Sequence, residues 1–259
     1  MSGLFGGLLA VDEHVRTEHS YLTAADCCHC LAEYFPERGY RANQLNQLIV
    51  NLKCLPSIAS RDPRRMHYKL RAIDDIAHAL RGALSRSSVE CATSIPIPPS
   101  RPARDADYDD RLQCILAAVF VDYALDLRTA HHQSEATAAD HVSARRSSAA
   151  ALYRVLRLER ELLAREPLRE RIVLFDDVLT SGKHYKCYLT LILDRFQIKT
   201  VSCNSATLGR RWSGYQWGYQ QSRSDAVEPA RSWRRVTPEL SGRGDFRLAT
   251  AAAIILAFD

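Results

Sequence analysis

The stretch Ile172-Val173-Leu174-Phe175-Asp176-Asp177-Val178-Leu179-Thr180-Ser181-Gly182 decides the fold. Its first four residues are an apolar run of strand length, of the kind buried on both faces of a parallel sheet. Two carboxylates follow at the strand's carboxyl edge, and a small polar turn comes next. Beyond it, residues 185–196 carry Tyr188, Leu189, Ile192, Leu193 and Phe196 at helical spacing. The order is strand, acid pair, polar turn, helix. It places backbone N–H groups and the Thr180 and Ser181 hydroxyls at the positive end of a helix, where a phosphate monoester is stabilised.

Spacing excludes two phosphate chemistries. A Walker loop needs Gly five positions before its Gly-Lys pair and a hydroxyl residue after it, but Asp177 and His184 stand there. An aspartyl-phosphate mechanism needs carboxylates two residues apart, whereas Asp176 and Asp177 are adjacent and point to opposite sides of an extended backbone. A ribose 5-phosphate fits both halves. Its phosphate would occupy the Thr180–His184 turn and its 2- and 3-hydroxyls would donate to the carboxylate pair.

Residues 172–183 resemble the phosphoribosyl-pyrophosphate (PRPP) signature of type I phosphoribosyltransferases: four apolar residues, two acidic, two aliphatic, then Thr-Ser-Gly. His184 departs from the small residue usual at the last position. The resemblance implies that Asp176 and Asp177 are the catalytic carboxylates, with Mg2+ at the same pair. It implies that Thr180, Ser181, Gly182, Lys183 and His184 hold the phosphate. An early strand end in that family holds the pyrophosphate, and residues 95–101 stand in its place, making Ser100 and Arg101 the candidates. The family's mobile loop corresponds to residues 129–146, where Gln133, Ser134, His141, Arg145 and Arg146 occur. The implied reaction displaces pyrophosphate from carbon 1 of PRPP by a nitrogen of a nucleobase-like acceptor. A non-catalytic PRPP or nucleotide sensor is the alternative, acting through the N-terminal region or the basic tail.

Helices are expected elsewhere from capping and periodicity. Thr23 with Asp26 reads as an N-cap opening a helix to about Phe35. Within it, Cys27, Cys28, His29 and Cys30 read as small core residues, because no second pair completes a tetrahedral zinc site. Further helices are predicted over 43–55, over 63–84 with Leu70, Ile73, Ala77, Leu80 and Leu84 buried, around 112–123, and over 148–165. Lys53 and Lys69 read as solvated positions, and Asp109 and Asp110 as charges at a helix N-terminus. His131, His132 and His141 read as surface residues of a polar loop. A strand is expected from Lys199 to about Leu208. Arg210, Arg211, Trp212, Tyr215, Trp217 and Tyr219 then interleave cations with aromatics, as a single-stranded nucleic-acid surface or a lid over a base does.

The 259 residues support one sizeable core or two modest ones, and 46% hydrophobic with 25% charged residues matches an ordinary globular chain. The longest apolar run, 248–258, is far shorter than the roughly 20 residues of a spanning helix, so no membrane partner is expected. The apolar stretch 3–11 lacks a preceding basic segment, which argues against export. A cytoplasmic location and reduced thiols are therefore expected for the eight cysteines. A net charge of +5 suits phosphate-bearing ligands without demanding nucleic acid. The expected architecture is α/β: a helical N-terminal region (1–86), a mainly parallel sheet flanked by helices (87–209), and a basic-aromatic segment (210–259). Oligomeric state is open, a homodimer being one option.

Overall fold

A computed structural model describes residues 5–35, 38–41, 43–119, 121–122, 124–129, 131–134, 148–158, 168–169, 171–196 and 256–258. Strands β1 (Leu9–Ala10) and β2 (Cys28–Cys30) pair antiparallel across a short helix α1 (Glu13–Arg16), which Asp12 caps by accepting from the His14 and Val15 amides. The helix expected over 23–35 is therefore absent. The Asp26 carboxylate instead accepts from the Thr23 amide and hydroxyl, closing a turn, and takes an ion pair from Lys186. Cys28 and Cys30 are buried while His29 between them is half-buried, the alternation of a strand.

Helix α2 (Gln44–Leu52) starts where Asn43 accepts from the Asn46 amide, and buries Leu45, Leu48, Ile49 and Leu52. The one-turn α3 (Pro56–Ala59) leads to the long α4 (Pro63–Ala83), with Asp62 as N-cap and Pro63 in the first turn. Its buried stripe is Lys69, Ala72, Ile73, Ile76, Ala77 and Leu80; Leu70, expected inside, is 53% exposed. Next come α5 (Arg86–Glu90), the fully buried β3 (Ala92–Pro96), α6 (Arg111–Val119) and β4 (Asp126–Leu127). The polar stretch after Thr129 opens with a strand, β5 (His131–Gln133). The helix expected over 148–165 is split into α7 (Ala149–Val155), capped by Ser148, and β6 (Leu156–Leu158). Strands β5 and β6 form a separate antiparallel pair. Finally β7 (Arg171–Phe175) runs into α8 (Lys183–Phe196), and β8 (Leu256–Phe258) returns to the sheet.

The six-stranded sheet has the order β1-β2-β8-β7-β3-β4. β7 and β3 are parallel through five registered positions, from Ala92↔Arg171 to Pro96↔Phe175, and β4 is parallel to β3 on its far side. On the other flank β8, β2 and β1 are all antiparallel to their neighbours. The sheet is thus mixed, with a parallel half of three strands, and not mainly parallel as expected. The reason lies in residues 256–258, which pair with β7 on the edge that a further parallel strand would otherwise take.

Helices cover both faces. Val173 and Phe175 of β7 enter the core made with α2, α4 and α6, while Leu174 between them enters the core of α7 and α8. The N-terminal 86 residues, expected as helical, also supply two strands to the sheet, and their helices α2 and α4 share a core with β7. The expectations for residues 135–147 (the family loop's His141, Arg145 and Arg146), for 159–167 and for 199–250 fall outside the described residues. No helix among the described residues is long and apolar enough to cross a membrane.

Candidate functional site

The Ile97 amide donates to the Phe175 carbonyl at 2.7 Å, the last rung between β3 and β7. Beyond it the two chains part, one into Pro98–Pro99–Ser100 and the other into Asp176–Asp177. A cleft opens between them at the strands' carboxyl ends, the usual ligand position in an open α/β sheet. Its walls come from these two loops, from Thr180, Gly182, His184 and Tyr185 at the start of α8, from the start of α6, and from Lys53 and Thr129.

Of the residues expected to bind ligand, Asp176, Asp177, Thr180, Gly182, His184 and Ser100 line this cleft. Ser181 and Lys183 are in the turn but off the wall, and Lys183 is buried. Arg101 is also off it. Its guanidinium lies 3.0 Å from Asp105 in a local ion pair across the turn that follows Ser100.

The acid pair is asymmetric. The Asp177 amide donates to the Asp176 carboxylate at 2.8 Å, so the two side chains are linked through backbone. Asp177 Oδ2 accepts from Arg111 Nε at 2.8 Å and from Arg111 Nη2, and its Oδ1 lies 3.4 Å from Lys53 Nζ. Arg111 also bonds Asp109 Oδ2 at 2.6 Å, and Lys69 Nζ reaches the same oxygen at 2.7 Å. Lys69 spends its remaining protons on the Leu52 and Cys54 carbonyls. The result is an alternating row, Lys69, Asp109, Arg111, Asp177, Lys53, that ties α2, α4 and α6 to the end of β7.

Electrostatics follows from that row. Burial would raise the Asp177 pKa, but the Arg111 guanidinium and then the Lys53 ammonium outweigh it and hold the carboxyl well below the usual range. Asp176 forms no ion pair among the described residues, and Lys53 and Arg111 lower its pKa only from a distance. Burial first, and the Asp177 anion second, push it up to about 7, well above the usual carboxylate range.

The expectation that Lys53 and Lys69 are solvated is therefore overturned. Lys69 is 7% exposed within a satisfied ion pair, and Lys53 is half-buried on the cleft wall. Asp109 does sit at a helix start, accepting the Arg111 amide at 3.2 Å, but it also anchors two cations. Arg111 escaped sequence reasoning altogether. One signal was available: a cation as the first residue of a helix opposes the macrodipole, which requires carboxylates nearby to offset it.

Both oxygens of Asp177 already face cations and Asp176 Oδ1 accepts the Asp177 amide, so among the described residues the second oxygen of Asp176 is what the acid pair leaves open to a divalent ion.

The turn into α8 is shaped by Gly182, whose φ of +79° lies in the left-handed region. A Cβ there would stand 2.8 Å from Leu22 Cδ2 and 2.9 Å from its Cγ. Gly182→Ala is expected to destabilise the chain by about 2–4 kcal/mol, combining left-handed strain with overpacking. Urea denaturation should show a lower midpoint at unchanged slope; an unchanged midpoint would refute this account of the turn.

No family model matches the chain. No curated protein and no solved structure is significantly similar to it. The geometry of the cleft and the short signature that lines it therefore carry the functional reading.

Proposed function

We propose that the chain is a phosphoribosyltransferase of the type I kind, transferring the 5-phosphoribosyl group of PRPP to a nitrogen of a nucleobase-like acceptor with release of pyrophosphate. The observation that carries this reading is the meeting of two loops in one cleft. The acid pair and Gly182 turn after β7 face the Pro98–Ser100 bend after the neighbouring parallel strand β3. A sugar lying between them would have its 5-phosphate at Thr180–His184 and its pyrophosphate toward Ser100.

In this arrangement Asp176, the carboxyl without a cation of its own, takes the ribose hydroxyls. Asp177 is held rigidly by Arg111 and keeps its charge across the cleft. Bond breaking between carbon 1 and the pyrophosphate oxygen sends the electron pair to the leaving group, and the acceptor nitrogen forms the new bond. The developing oxocarbenium is favoured by the Asp177 anion, which is already in place before reaction. The leaving pyrophosphate arrives as its magnesium complex, the metal belonging to the substrate.

A second reading, binding without turnover, is favoured by two observations: Arg111 and Lys53 occupy the Asp177 oxygens, and His184 stands where a small residue is usual. The deciding experiment offers PRPP and Mg2+ with a panel of purine, pyrimidine and pyridine bases, following pyrophosphate release, beside calorimetry of PRPP alone. Turnover supports the transferase; saturable binding without release supports the sensor. Absence of PRPP binding would remove both.

A further inference from the structure

The turn that precedes α8 is gripped from behind by a segment more than 150 residues upstream. His19 Nδ1 bonds the Thr180 carbonyl, and since a carbonyl only accepts, Nδ1 carries the proton. The Tyr21 amide donates to the Ser181 carbonyl at 2.9 Å, and Leu22 packs against Gly182. His19 is 1% exposed, and burial lowers its pKa, so the ring is neutral and its Nε2 is a buried acceptor without a hydrogen-bond donor among the described residues. His19, Tyr21 and Leu22 are all off the cleft wall to which Thr180 and Gly182 belong.

Peptide planarity converts these contacts into a statement about donors. In a trans peptide the carbonyl of one residue points opposite to the amide N–H of the next. With the Thr180 and Ser181 carbonyls turned toward His19 and Tyr21, the Ser181 and Gly182 amides point away from that segment. Neither amide donates to an acceptor among the described residues. Two adjacent amides without a protein acceptor among the described residues, at the start of a 14-residue helix, are donors of the kind an anion can use.

We infer that residues 19–22 are a latch that sets the phosphate turn, and that His19 is its positioning residue. This rests on the phosphoribosyl reading for the identity of the anion, a phosphate monoester. It does not rest on that reading for the latch itself.

The test uses the full chain, nitrogen-15 labelled, as wild type, His19→Leu and His19→Asn, the last keeping an N–H donor at the Nδ1 position. The Tyr21 amide should exchange slowly in wild type, at least tenfold faster in His19→Leu, and near the wild-type rate in His19→Asn. Ribose 5-phosphate should shift the Ser181 and Gly182 amide resonances and bind at least tenfold more weakly to His19→Leu. Pyrophosphate affinity should stay within about twofold. Equal losses for both ligands, or unchanged Tyr21 exchange in His19→Leu, would overturn the latch.

Should His19→Leu not fold, saturable ribose 5-phosphate binding that moves Ser100 and Asp176 but not Ser181 and Gly182 would overturn it equally. A wild-type chain that binds neither ligand sinks the phosphoribosyl reading alone, and Tyr21 exchange then decides the latch.

Discussion

Arg111→Met is expected to cost about 3–5 kcal/mol of stability at pH 8, the range for removing one partner of a buried ion pair. The guanidinium bridges Asp109 and Asp177, and its loss leaves two buried carboxylates with only the lysines at either end of the row. The pH dependence carries the sign. In wild type the depressed Asp177 pKa contributes stability above the unfolded carboxylate range, which is lost as pH falls through the folded value. In the variant that carboxyl has lost its strongest cation, so the deficit should be largest at pH 8 and shrink toward pH 4, where protonation relieves it. Urea denaturation at both pH values reads this directly. A variant within about 1 kcal/mol of wild type at pH 8 would mean that the row is incidental rather than a brace.

Asp176→Asn should move stability and binding in opposite directions. With its pKa raised to about 7, Asp176 favours folding in its protonated form. Wild-type stability should therefore fall as pH rises from the unfolded carboxylate range toward 7, and level off above it. Asparagine keeps the shape and still accepts the Asp177 amide, but is never charged. The variant should gain about 2 kcal/mol at pH 8 over wild type, below the roughly 4 kcal/mol that the full shift would allow, because an amide also resists burial. PRPP affinity should meanwhile fall about 10- to 100-fold, the worth of a hydrogen bond to a charged group. Such a trade is expected where a strained group serves binding. A variant that is no more stable than wild type at pH 8 would deny that Asp176 is electrostatically strained. One that binds PRPP at full strength would deny its role toward the ribose.

Several elements were legible because a periodic apolar signal and a cap coincide. Asn43 and the Leu45, Leu48, Ile49, Leu52 stripe mark α2, Asp62-Pro63 opens α4, and the run Ile172–Phe175 marks β7. Where the two signals conflict, the reading fails. Thr23 and Asp26 do form the expected side-chain bond, but it closes a turn, because β8 offers the Cys28–Cys30 backbone a strand partner that no local pattern announces. Likewise α7 stops at Val155 because Leu156–Leu158 pairs with β5. Leu70 and Lys69 exchanged their expected places on α4, since a buried lysine is tolerable once Asp109 and two carbonyls satisfy it.

Adjacent residues encode the succession of buried strand, paired acids, glycine turn and helix, because hydrogen bonding, side-chain volume and left-handed backbone freedom act between chain neighbours. Partnership across distance is not encoded that way. That Asp177 answers to Arg111 and Lys53, that burial and the Asp177 anion raise the Asp176 pKa, and that His19 and Tyr21 contact the turn from behind are products of packing. Ion pairs and backbone acceptors carry no period along a chain, so only the folded arrangement of α2, α6 and the segment after α1 around the end of β7 selects them.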